Sequence, residues 1–202
     1  MLKRTGWWVM TVLALAVSLY AAFLLAVPGA RPPFMASHAM PVAVLVHFGG
    51  GALALAIGPF QFRSSLRNRR IGLHRWVGRA YLGAIAAGGL AGLALATVAQ
   101  GGLVAQTGFG TLAVAWMSTT ALAYVTIRRG DDVQHRAWMT RSFALTYAAV
   151  TLRVYLPLSI ASGVAFDEAY RVIAWMCWVP NLLVAEWLFV PRAARRVVAE
   201  VV

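Results

Sequence analysis

The sequence predicts an all-α, polytopic membrane protein with six transmembrane helices, forming a single domain over residues 1–202. Three observations lead there. Of the 202 residues, 61% are hydrophobic and 12% charged. The apolar residues gather in runs of about twenty, the length that crosses a hydrocarbon core roughly 30 Å thick. These runs are continuous rather than alternating, which excludes the lipid-facing strands of a barrel. The 18 basic residues, set against 6 acidic ones, cluster in alternate connections between the runs.

The first span, residues 7–27, follows Lys3 and Arg4. Its start resembles a secretory signal peptide, whose apolar part is about 7–15 residues. A run of roughly twenty is long enough to cross, so a retained helix is expected. Pro28–Met40 contains Pro28, Gly29, Pro32 and Pro33, which marks an irregular linker outside the bilayer. The second span, 41–62, places His47, Gly51, Ala54 and Gly58 on one face. The stretch Arg63–Arg79 then holds six arginines in seventeen residues.

The third span, 74–99, carries Gly88 and Gly92 as a small-xxx-small pair suited to close helix approach. Gln100–Thr107 has no charge, and the fourth span is 108–127. Asp131 and Asp132 precede the fifth span, 135–162, where acidic groups favour a helix N-terminus. Pro157 lies within that span and cannot donate to the carbonyl of Arg153. After the acidic loop Gly163–Glu168 comes the sixth span, 169–190, and a tail with Arg192, Arg195 and Arg196.

Lys and Arg accumulate on the cytoplasmic side of a membrane. The N-terminus, the second-to-third and fourth-to-fifth connections and the tail are the basic ones. The chain is therefore expected in a bacterial inner (plasma) membrane with both termini cytoplasmic. The net charge of +12 becomes a topology signal, with attraction for anionic lipid headgroups at the inner face rather than for nucleic acid. Cys177 is the only cysteine, which excludes an internal disulfide and a thiolate metal cluster.

The fifth span carries the chemistry. At about 100° per residue, His135 and Arg153 fall on one line roughly 27 Å apart, with Ser142 and Thr146 within about 20° of it. Ionisable groups inside a span usually face the protein interior and mark function. The bland alternative is that both snorkel to opposite interfaces. His74 and His135 belong to one inner level, and His47 and Arg153 to one outer level. The starts of the third and fifth spans also look alike: His74-Arg75-Trp76-Val77-Gly78-Arg79 against His135-Arg136-Ala137-Trp138-Met139-Thr140-Arg141. That pattern suggests a duplicated helix pair and a core bundle of helices two to five.

Three motifs, HFGGGALALAIGPFQF, LHRWVGRAYL and HRAWMTRSFALTYAAVTLR, resemble a family of predicted bacterial membrane proteins, domain of unknown function 2306. The resemblance runs from about His47 to Pro157 and implies a polytopic membrane protein without an established activity. The histidine placement is also similar, more distantly, to transmembrane cytochromes b that reduce across a membrane using ascorbate. Those bind two haems, pairing histidines of the second and fourth and of the third and fifth helices. Here His74 and His135 supply the third-and-fifth pair, while the fourth helix offers His47 no partner.

Two functions of different class follow. In the first, His74 and His135 are axial ligands of a haem b that transfers electrons across the membrane. In the second, His47, Arg153 and the inner arginines carry a small anion or lipid, with Pro157 and Pro180 as loosened points. Against a carrier, no paired discontinuous helices and no buried carboxylate for proton coupling are expected, and Glu186, the one acid inside a span, fits a structural salt bridge. A membrane assembly subunit without chemistry, as a homo-oligomer or beside a redox partner, also suits the composition. No hydrolase spacing is present.

Overall fold

The computed structural model describes residues 2–32, 35, 40–191 and 194, and the side chains from Thr5 onward. Arg192, Arg195 and Arg196 of the basic tail lie outside the described residues. The elements of the described residues are α1 (Leu2–Ala26), a 3₁₀ turn (Pro28–Ala30), α2 (Pro41–Gln61), α3 (Ser64–Arg69), α4 (Ile71–Ala96), α5 (Gly102–Arg128), α6 (Asp132–Thr146), α7 (Ala148–Ala161), α8 (Phe166–Met176) and α9 (Val179–Leu188). Among the described residues there is no strand.

Among the described residues, five helical stretches are long and apolar enough to cross a membrane: Thr5–Ala26, Pro41–Gln61, Ile71–Ala96, Gly102–Arg128 and Asp132–Ala161. The last of these comprises α6 and α7, which meet at Tyr147. The sixth apolar segment, read from sequence as an uninterrupted helix, is present as α8 and α9. Its break is at Trp178, whose backbone leaves the helical region at φ −127° and ψ −34°. Pro180, two residues on, has no N–H to offer the Met176 carbonyl four residues back. At the break the Cys177 carbonyl accepts from Thr151 Oγ1 at 2.7 Å and from Asn181 Nδ2 at 2.9 Å. A freed carbonyl at membrane depth needs such partners, since lipid offers none. The sixth segment thus holds a single interruption between α8 and α9.

Helix α2 packs on α1 and α4, α4 on α5, and α5 on α6, while α2 touches α6 lightly. The four helices α2, α4, α5 and α6 therefore close a ring in which α4 and α6 stand across the diagonal. Helix α8 covers α5 and α7, and α9 covers α6. Membrane helices lack a hydrophobic force between them and use small residues to bring backbones together. A Cβ on Gly50 would stand 2.5 Å from the Ala84 carbonyl oxygen and 2.9 Å from Gly88 Cα. At Gly58 it would meet the ring of Phe143 at 2.4 Å. These two contacts set how closely α2 approaches α4 and α6.

Two polar devices hold the end of the bundle that carries the arginine-rich connections. Asp131 caps α6, accepting from Gln134 N at 2.9 Å, as its place before the helix predicts. Glu186 of α9 accepts from Arg141 Nε at 2.8 Å and Nη2 at 3.0 Å. The guanidinium also lies 4.4 Å from the ring centre of Trp138. That ion pair ties α9 to α6.

Candidate functional site

On α4, His74, Tyr81 and Gly88 recur every seven residues, two helical turns or about 10.5 Å each. Across the diagonal, α6 and α7 present His135, then Ser142 and Thr146, then Arg153. The facing stripes divide the bundle interior into a basic-end level, a middle level and an opposite-end level.

The middle level is a closed hydroxyl network. Ser142 is fully buried and Thr146 is 3% exposed. Trp116 Nε1 donates to Thr146 Oγ1 at 2.8 Å, and Thr146 Oγ1 donates to the Ser142 carbonyl at 3.0 Å. Thr120 Oγ1 donates to the Trp116 carbonyl at 2.7 Å and meets Ser142 Oγ at 2.7 Å. Tyr81 Oη meets Ser142 Oγ at 3.1 Å and Thr146 Oγ1 at 2.9 Å. These six contacts have only five hydrogens between them. Carbonyls accept only, so Thr120 and Thr146 spend their hydrogens there and Ser142 donates to Thr120. Tyr81 then has one hydrogen for two oxygens. Sequence reading found Ser142 and Thr146 but missed Tyr81, Trp116 and Thr120. The signal for Tyr81 was available, since it lies two turns from His74 on the same face.

At the basic end, His74 and His135 come close enough for their charges to interact, and Arg67 and Arg75 act on His74 as well. His135 Nδ1 lies 2.8 Å from the Ala123 carbonyl. A carbonyl accepts only, so Nδ1 carries the proton and Nε2 of the neutral ring is left with its lone pair. His74 Nδ1 is buried with no partner among the described residues. The two similar helix starts thus place their histidines in unlike surroundings. Gln61, at the end of α2, joins this level: its Oε1 is 3.4 Å from where a Cβ on Gly78 would stand. Sequence reading missed Gln61, because nothing local links it to His74.

At the opposite end, His47 Nδ1 donates to the Gly88 carbonyl at 2.9 Å, and the ring seats against Gly92, whose Cβ would fall 2.8 Å from Nδ1. Arg153 is half-buried. Its Nη1 donates to the Ala149 carbonyl at 2.9 Å, and the guanidinium lies 5.7 Å from the Phe48 ring centre. Arg153 is near enough to act on the charge of His47, and Tyr20 lies within its electrostatic reach. Among the described residues no carboxylate pairs with Arg153.

Among the described residues, no three His, Cys, Asp or Glu side chains gather as a metal site. A pair of imidazoles is the set that an axial haem requires, and the basic-end level has such a pair. No curated protein matches the chain, and no solved structure does. Residues 44–189, well over half of the chain, match a family described as predicted membrane protein. The chain, a set of apolar helices around a buried polar stripe, belongs to that family, domain of unknown function 2306.

Proposed function

We propose that the protein is a bacterial inner-membrane electron carrier that holds a b-type haem between His74 and His135, with both termini in the cytoplasm. The observation that carries this reading is that two imidazoles on diagonal helices, at one level of the bundle, lie within electrostatic reach of each other. The residues fit the group in three respects. His135 gives its Nδ1 hydrogen to the Ala123 carbonyl, the arrangement that orients a metal-bound imidazole and keeps Nε2 for the metal. His74 has one ring nitrogen without a protein partner. Arg67 and Arg75 stand beside His74, and guanidinium groups suit carboxylates such as propionates. When bound, a bis-histidine haem supplies a one-electron couple. The chain's part is to orient both rings.

Protein purified from haem-replete cells should show a reducible b-type absorption spectrum, lost in both His74→Ala and His135→Ala. A preparation that stays colourless with added haemin ends the redox reading. The second reading, a carrier for a small anion, is favoured by Arg153, which lies within electrostatic reach of His47 and pairs with no carboxylate among the described residues, and by the interrupted sixth segment. It predicts anion uptake into vesicles that Arg153→Leu abolishes while the protein still folds.

A further inference from the structure

Arg153 sits well inside its helix, eight residues or roughly 12 Å from the end of α7 at Ala161. His47 enters from the same end of the bundle, six residues or roughly 9 Å from the start of α2 at Pro41. Both rest against Phe48: the guanidinium carbon is 5.7 Å from its ring centre, and the imidazole centre 6.1 Å from it. Tyr20 of α1 lies within electrostatic reach of Arg153, as His47 does. Three helices thus bring a guanidinium, an imidazole and a phenol toward one place. Arg31, at the same end, gives Nε and Nη2 to the Leu24 and Leu25 carbonyls at 3.0 Å, which the last turn of α1 leaves free. Arg153 fills no such vacancy. Its Nη1 donates to the Ala149 carbonyl at 2.9 Å, an acceptor that α7 already uses in its own ladder. The side-chain atoms that are both enclosed and unpartnered, among the described residues, belong to Gln61, His74, Gln134 and Arg141, near the arginine-rich end. The remaining N–H groups of Arg153 and Nε2 of His47 are not enclosed, so a ligand can reach them.

We infer that Arg153 and His47 bind an oxyanion that still carries a hydrogen at neutral pH, the chemistry of phosphate and of phosphate monoesters. The Gly88 carbonyl only accepts, so His47 Nδ1 holds the proton and Nε2 of the neutral ring keeps its lone pair. The place therefore joins a charged group that donates to a neutral group that accepts. A guanidinium takes two oxygens of one anion side by side, and the O–H of the same anion is what Nε2 requires. Sulfate has a similar shape but no hydrogen at neutral pH, so it leaves that acceptor unpaired, which weakens binding. The phosphodiester of an ordinary phospholipid lacks the hydrogen as well. Tyr20 is 50% exposed, so the place is open at α1, the helix that packs on both α2 and α7. Free phosphate and the headgroup of phosphatidic acid share the required chemistry. The inference rests on the anion-carrier reading for its location and adds the class of anion.

The test uses the full chain in an uncharged maltoside micelle, dialysed at neutral pH against radiolabelled inorganic phosphate. Binding should saturate at one phosphate per chain, and an excess of sulfate of about tenfold should not displace it. Arg153→Leu should raise Kd at least about tenfold through the lost charge-assisted hydrogen bonds. His47→Phe should remove the preference for phosphate over sulfate, an effect that a merely structural histidine would not have. If sulfate competes as well as phosphate in the wild type, if Arg153→Leu binds phosphate as the wild type does, or if no saturable binding is seen, the inference falls. Should the variants not fold, the sulfate competition in wild-type protein decides alone. Displacement by a short-chain phosphatidic acid at lower concentrations than unlabelled phosphate marks a lipid as the source; weaker displacement marks the free anion. Selective phosphate binding without uptake into vesicles would leave this inference standing while the carrier reading fails. Uptake that does not distinguish phosphate from sulfate would do the reverse.

Discussion

Substituting Gly50 by alanine is the sharpest test of how the bundle closes. The new Cβ would lie 2.5 Å from the Ala84 carbonyl oxygen, 2.9 Å from Gly88 Cα and 3.0 Å from Gly88 N. Carbon rests no closer than about 3.3 Å to a carbonyl oxygen, so α2 and α4 must part by roughly 0.8 Å. Every atom in the way is backbone, and no rotamer change relieves it. The same movement pulls His47 away from the Gly88 carbonyl, now at 2.9 Å, to beyond ordinary hydrogen-bond length. Overpacking of this kind costs about 1–3 kcal/mol, and the lost bond about 0.5–1.5 kcal/mol more. Alanine's better helix propensity returns about 1 kcal/mol. The net is a loss near 2 kcal/mol, roughly a thirtyfold shift toward the unfolded state. Gly51→Ala is the control, because a Cβ there meets nothing within 4 Å. That variant should be as stable as the wild type or up to about 1 kcal/mol more so. The assay is reversible unfolding in mixed micelles with increasing denaturing detergent, followed by circular dichroism. Equal midpoints for Gly50→Ala and Gly51→Ala would refute the close-approach argument.

The hydroxyl network predicts unequal costs for two conservative changes. Tyr81→Phe removes one hydrogen from a group that had two contacts for it and should destabilise by about 1 kcal/mol. Thr146→Val leaves Trp116 Nε1–H buried without its acceptor and should cost more, about 1–3 kcal/mol; the opposite ranking in the same unfolding assay would discredit the hydrogen count. For orientation, reporter fusions after Gln100 and after Gly130, on either side of α5, should report opposite sides of the membrane, with Gly130 cytoplasmic. Both on one side would remove α5 as a span.

Much of this protein is determined by its sequence, because a membrane turns long-range folding into local rules. A backbone in lipid must satisfy its own hydrogen bonds, so a run of twenty apolar residues is a helix whatever its neighbours do. The class, the helical stretches and the line through His135, Ser142, Thr146 and Arg153 all follow from length and a period of 3.6 residues. The cap at Asp131 is equally local. Tertiary structure decided what no periodicity contains. The interruption at Trp178 is tolerated because Thr151, 26 residues earlier, supplies a hydroxyl to the Cys177 carbonyl. His47 and His135 find their acceptors on other helices, at Gly88 and Ala123, 41 and 12 residues away. Gln61 reaches the level of His74 only because α2 and α4 run back to back, brought together by Gly50 and Gly88. A carbonyl and a side chain give no sign along the chain that they will meet; close packing of particular helices brings them within hydrogen-bond distance, and that packing is a property of pairs of surfaces rather than of any one segment.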